Sequence, residues 1–167
     1  MNRQKGFSLI ELLIVVAIIL IIAAIAIPNL LRSKMAANES SAVGSIRTIN
    51  TAQVAFSSTY GLGYGTLAQL ATPAGGCAGA TTAAACLLDN FLGAGTKSGY
   101  TFTSIPGGGA GLPLNPFTTF NTTSNPVVFD QTGHSSYCSD ESGVIRRDNT
   151  GGAAPANCQA SGLPPLQ

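Results

Sequence analysis

From residue 7 to residue 27 the chain is apolar at nearly every position, with Ser8 and Glu11 as the polar exceptions. Past Pro28 the pattern changes. Leu31, Met35, Ala42, Ile46, Ile49 and Phe56 recur at three-, four- and seven-residue steps, while Arg32, Lys34, Asn38, Glu39, Ser45 and Arg47 take the other faces. The first pattern predicts a helix that is apolar all round, the second an amphipathic helix with one buried face. Gly61, Gly63 and Gly65 supply a stop, so this helix should end near Thr59. Residues 67–70 and 83–91 read as short helical turns in a connecting region, with an irregular loop at 73–80. Strand-like alternation begins at 99–105, where Tyr100, Phe102 and Ser104 alternate with Thr101, Thr103 and Ile105. Residues 117–123, 134–140 and 144–147 read as three further strands, the last two joined by Glu141-Ser142-Gly143. About four strands in succession predict an α+β fold, an antiparallel meander packed on the amphipathic half of one long N-terminal helix.

At about 1.5 Å per residue, the 21 residues 7–27 span roughly 30 Å as a helix, the thickness of a bilayer's hydrocarbon core. A secretory signal would have a shorter apolar core and a small-residue cleavage site after it, whereas this run continues into Pro28, so it is expected to stay with the protein. Arg3, Lys5 and the amino terminus precede it and place the leader in the cytoplasm, although Arg32 and Lys34 reduce the asymmetry. Pro28 removes a backbone donor and crowds the carbonyl of Ala24, which predicts a kink there. Glu11 is the one charge in the run. A carboxylate at mid-bilayer costs about 2.5 to 3.5 kcal/mol, less near an end, so it calls for a functional partner or for snorkelling to the interface.

Composition narrows the remaining possibilities. Only 9% of the 167 residues are charged and Gly, Ala, Ser and Thr abound, so the part beyond the membrane segment is built of small residues and turns. Eight basic residues stand against seven acidic ones, and the balance gives no basic field for specific nucleic-acid binding. Cys77, Cys86, Cys138 and Cys158 all lie beyond the membrane segment, in what would be an oxidising compartment. Three pairings are possible, of which we expect the local one, Cys77 with Cys86 and Cys138 with Cys158. No CxxC occurs, and His134, the only histidine, has one cysteine four residues away; this is a poor zinc pattern. His134 among Asp130, Ser135, Ser136 and Asp140 lacks a nucleophile elbow or other catalytic context, and is read as a strand-edge or turn residue. The turns opening at Asp130, Asp140 and Asp148 each reach a glycine three residues on. This is first a turn signature and only secondarily a source of calcium ligands.

Gly6, Phe7, Ser8, Leu9, Ile10 and Glu11 match the cleavage and methylation signature of type IV pilins and pseudopilins. The similarity is strongest to short-leader type IVa pilins. It runs from Lys5 to about Ala55 through IELLIVVAII and AAIAIPNLLRS, and weakly to Arg147. The resemblance implies that a prepilin peptidase cuts between Gly6 and Phe7 and methylates the new amine, and that the apolar helix then enters the core of a helical homopolymer. In it, the Phe7 amine of an incoming subunit would pair with a neighbour's Glu11, where low dielectric magnifies the attraction. In one respect the chain departs from the pattern: Leu20 stands where many relatives have Gly, so only Pro28 remains to unwind residues 20–27, and Leu holds a helix better than Gly by roughly 0.5 to 1 kcal/mol.

The domain organisation expected on this basis is a cleaved leader 1–6, a membrane and fibre-core helix 7–28, an amphipathic helix 29–59, a connecting region 60–98, a sheet 99–148 and a disulfide-tethered tail 149–167. The expected function is structural, without cofactor and not enzymatic. It is a type IV pilus subunit held in the inner membrane with its N-terminus inside, delivered to a pilus assembly platform, and built into a surface filament for adhesion, twitching motility or DNA uptake. The rival readings are a type II secretion pseudopilin or minor pilin, against which the tail cysteines weigh, and a membrane-anchored periplasmic enzyme or binding module using His134 and the acidic turns.

Overall fold

The structure, a computed structural model, describes residues 7–155 and 157–166. It divides into two compact units, Met1–Lys34 and Met35–Gln167. Helix α1 (Leu9–Tyr60) is continuous, with Pro28 inside it and no break between residues 20 and 27. In the first unit every large apolar side chain from Phe7 to Leu31 is exposed, none less than 46%. Such a surface is stable in lipid or against other protein, not in water.

In the second unit α1 buries Ala42, Ser45, Ile46, Ile49, Ala52, Gln53 and Phe56, a stripe at three- and four-residue spacing. Two residues of the expected face behave differently: Met35 is half-buried and Leu31 is exposed. The helix ends where Gly61 turns to φ +66° and donates to the Ser57 carbonyl. Gly63, at φ +80°, lies so close to the backbone of Phe117 that no Cβ would fit.

Helix α2 (Leu67–Leu70) opens with Thr66, whose side chain and the Gln69 side chain satisfy each other's backbone N–H groups. Residues 83–91 do not form the expected helical turn. The backbone of Ala85, Cys86, Leu87 and Leu88 donates to the carbonyls of Gln69, Leu70 and Ala71, and Cys86 sits at φ +58°, which no helix accommodates. Helix α3 (Asn90–Gly93) starts instead at Asp89, whose Oδ1 accepts from Leu92 N at 2.7 Å while Oδ2 accepts from Lys97 Nζ at 2.8 Å. The Lys97 bond, then the Leu92 N–H, holds the Asp89 carboxyl below its ordinary pKa. Because the folded value is depressed, the stabilisation is present above about pH 4 and is lost as pH falls through the folded value. Asp89→Asn should therefore show a shallower loss of stability in acid than the parent protein, read as the pH dependence of thermal unfolding.

The sheet has five strands in the order β1 (Thr96–Lys97), β2 (Tyr100–Gly107), β3 (Thr119–Pro126), β4 (Ser136–Asp140) and β5 (Arg146–Asp148), every neighbouring pair antiparallel. β1 is an addition to the expected meander; the other strands begin one or two residues later than the alternation suggested. Tyr100, Phe102 and Tyr137 join Ile46, Ile49 and Phe56 in one apolar cluster.

Gln53 at the centre of this layer is fully buried. Its Nε2 donates to the Gly65 carbonyl (2.6 Å) and to Ser104 Oγ (2.8 Å), and its Oε1 accepts from Gly65 N (2.8 Å). A glutamine on an apolar helix face is read from sequence as a surface residue. Here it closes the turn after α1 by supplying both backbone groups of Gly65 with partners. Gln53→Leu should cost about 2 kcal/mol by leaving those two groups unpaired in the interior, measurable by denaturant unfolding with an unchanged slope.

The chain after β5 crosses the sheet face that carries Cys138, where polar side chains hold its backbone. Ser136 Oγ donates to the Gly152 carbonyl, Asn125 Oδ1 accepts from Ala154 N, Asn121 Oδ1 from Cys158 N, and Arg146 Nη1 donates to the Leu163 carbonyl. Disulfides join Cys77 to Cys86 (Cα–Cα 6.0 Å) and Cys138 to Cys158 (5.6 Å). Leu166 N then donates to the Ile145 carbonyl, tying the far end of the tail to the residue just before β5.

Candidate functional site

The residues singled out for processing and assembly lie at the start of α1. Ser8 precedes the helix, and its carbonyl accepts from Leu12 N at 3.3 Å. Glu11, three residues on, turns its Oε2 back to accept from Ser8 N at 2.9 Å. This is the carboxylate half of a capping box, and it places negative charge against the positive end of the helix dipole. Ser-x-x-Glu ahead of an apolar run is the sequence signature of this cap. Phe7 is 75% exposed beside this turn, one residue before the amide that Glu11 holds. Gly6, and with it the expected cleavage bond, lies outside the described residues. A positive amine at Phe7 would meet a carboxylate held at the helix end, so the turn can bind a cation from its own chain or from another. Pro28 lies within α1, between exposed Ile27 and Leu30.

His134 and the acidic turns do not converge on such a site. His134 Nδ1 meets Asp130 Oδ1 at 2.6 Å with both side chains more than half exposed, and the His134 ring lies 5.0 Å from that of Phe129. The backbone N–H groups of His134 and Ser135 donate to Glu39 Oε1, at 2.8 and 3.1 Å, which pins the loop to α1. Burial, then the charge of Glu39, raises the phenol pKa of both Tyr100 and Tyr137, so these two stay neutral in the core. The acidic turns are closed by local hydrogen bonds, Asp130 N donating to the Gly133 carbonyl, Asp140 Oδ1 accepting from Ser142 N and Asp148 Oδ1 from Thr150 N, while the other oxygen of Asp140, Oδ2, is buried without a partner. Among the described residues no group of three or more His, Cys, Asp or Glu side chains is arranged to hold a metal.

Residues 1–27 match the family model described as the prokaryotic N-terminal methylation motif. Over 54 residues, 32% of this chain and 24% of the relative, the chain is 50% identical to the type IV major pilin protein PilA of Myxococcus xanthus. Over 39 residues, 23% of this chain and 30% of the relative, it is 62% identical to the type IV wide pilus major component PilA4 of Thermus thermophilus. The matches thus span less than a third of the length of these relatives. No solved structure matches the chain. Gly6, Phe7, Ser8 and Glu11 fall in the matched motif, and over this N-terminal segment the chain is similar to type IV major pilins.

Proposed function

We propose that the protein is a structural subunit of a type IV pilus. It waits in the inner membrane as a single-pass protein with its N-terminus in the cytoplasm. A prepilin peptidase cuts between Gly6 and Phe7, and the new amine of Phe7 is methylated. An inner-membrane assembly platform then transfers the subunit into a homopolymeric filament that serves adhesion, twitching motility or DNA uptake.

One observation carries this reading: a bilayer-length surface, apolar on every side, whose single charge is held at its first helical turn. Lipid covers such a surface in the monomer, and other copies of the same helix can cover it in a fibre. Glu11 is tolerable in lipid because it lies near the end of the segment and is hydrogen-bonded. In a fibre it gains a partner in the Phe7 amine of another copy, within a core of low dielectric. Pro28 supplies a weak point where the helix can bend on leaving the bilayer. No catalytic role is assigned. His134 is occupied by Asp130 and by its place in the loop, which supports a structural part for it.

Intact mass of the main band from sheared surface filaments tests this. The chain should begin at Phe7 and carry one added methyl group. Filaments in which residues 1–6 are still attached would overturn the assignment.

A further inference from the structure

The loop that joins β3 to β4 places three consecutive large apolar residues at the surface: Val127, Val128 and Phe129 are 51%, 42% and 41% exposed. An acid follows directly, since Asp130 is 61% exposed. The loop is rigidly built. Val127 N donates to the Gly99 carbonyl, Thr132 N to the Val128 carbonyl, and Asp130 N to the Gly133 carbonyl. It is also fastened to α1, by Asn38 Nδ2 to the Thr132 carbonyl at 2.8 Å and by Glu39 to the amides of His134 and Ser135. An apolar patch presented without freedom to rearrange loses little entropy when covered.

α1 carries the complementary sequence. Leu30 and Leu31 are 70% and 53% exposed, and the basic residues Arg32 and Lys34, also exposed, follow them. Among the described residues neither cation forms an ion pair. Apolar followed by acid on the loop matches apolar followed by base on the helix.

We propose that the 127–130 loop is a docking surface for a second copy of this chain, that it receives residues 30–34 of the neighbour's α1, and that Asp130 faces the neighbour's Arg32 and Lys34. The contact rests on the filament reading and gives that filament a specific lateral interface.

The test combines a charge swap with crosslinking. Asp130→Lys should lower sheared filament by about tenfold against total subunit, because it sets like charges together. Asp130→Lys with Arg32→Glu should restore most of the yield. The internal bond from Asp130 to His134 is lost in both variants, so a merely local role for Asp130 would leave the double variant as poor as the single one. Phe129→p-benzoylphenylalanine in filaments should crosslink to a peptide containing residues 30–34 of a second copy. The same probe at Phe91, 74% exposed, should not. Normal filaments from Asp130→Lys, no rescue in the double variant, or crosslinks from position 129 to another region would overturn the docking surface while leaving the pilus reading intact. Absence of the chain from filaments of the parent strain would overturn both.

Discussion

Glu11→Ala is expected to leave the protein in the membrane, at normal abundance, and to abolish filaments. The carboxylate costs free energy in lipid, so its removal makes the monomer more comfortable there, and insertion should continue. In the proposed fibre the apolar core would lose the negative charge that Glu11 supplies, and each Phe7 amine would then stand unpaired at low dielectric. The hydrogen bond from Ser8 N to Glu11 complicates a naive reading of this variant, because alanine also uncaps the helix. The loss of a cap is worth about 1 kcal/mol and frays one turn. Glu11→Gln separates the two effects: the amide oxygen can still accept from Ser8 N, but it carries no charge. Filament loss in both variants assigns the defect to the charge; loss in Glu11→Ala alone assigns it to the cap. Cells making parent and variant chains together should still build some fibre, because a variant chain keeps its own Phe7 amine and can use a neighbour's Glu11. Sheared filament against total subunit is the measurement. Normal yield from Glu11→Ala would return this residue to the role of a snorkelling surface carboxylate.

Sequence made the long helix and its two characters legible because hydrophobic periodicity is a property of many residues at once. Ala42, Ile46, Ile49 and Phe56 are the buried face, and no single exception could hide it. The elements that misled were short and set by distant partners. Residues 83–91 look helical because alanine and leucine favour helix, yet their backbone pairs with residues 69–71 and Cys86 is drawn to Cys77. Tertiary pairing overrode propensity there. β1 escaped notice because two residues, Thr96 and Lys97, between Gly95 and Ser98-Gly99 hold no periodicity to read; β2 alone makes them a strand. Gln53 was hidden for a similar reason, since its partners, Gly65 and Ser104, lie 12 and 51 residues away. At the start of α1 the opposite happened. The motif disclosed the resemblance to type IV pilins through Glu11, and the same four residues, Ser8 to Glu11, also contain a capping signature.

Replacing both Cys138 and Cys158 by serine should destabilise the globular unit by about 3 kcal/mol, a substantial share of a small domain's stability. The bond closes a loop with a sequence separation of 20 residues, which the chain-entropy account converts to that figure. Both sulfurs are buried, at 0% and 1% exposure, so the serine hydroxyls add a desolvation cost. The order of loosening is the sharper expectation. Between Gly151 and Leu163 the tail is Gly-, Ala- and Pro-rich and, among the described residues, buries only Cys158, so its attachment depends on the polar grips of Asn121, Asn125, Ser136 and Arg146 and on the disulfide. Each grip is worth about 1 kcal/mol or less, and together they act well only while the disulfide keeps the tail near the sheet. Hydrogen exchange should therefore quicken first at Ala154, Cys158 and Leu166, whose amides are bonded across the tail contact, and later at β2 and β3. The Cys77–Cys86 pair provides the contrast. It closes a shorter loop, Cys77 is exposed, and the backbone contacts of residues 69–72 with 85–88 hold that loop shut independently. Its double serine variant should lose less stability and leave tail exchange unchanged. Equal losses from the two pairs, or a Cys138/Cys158 variant whose tail amides remain as protected as in the parent, would show that the polar grips alone hold the tail.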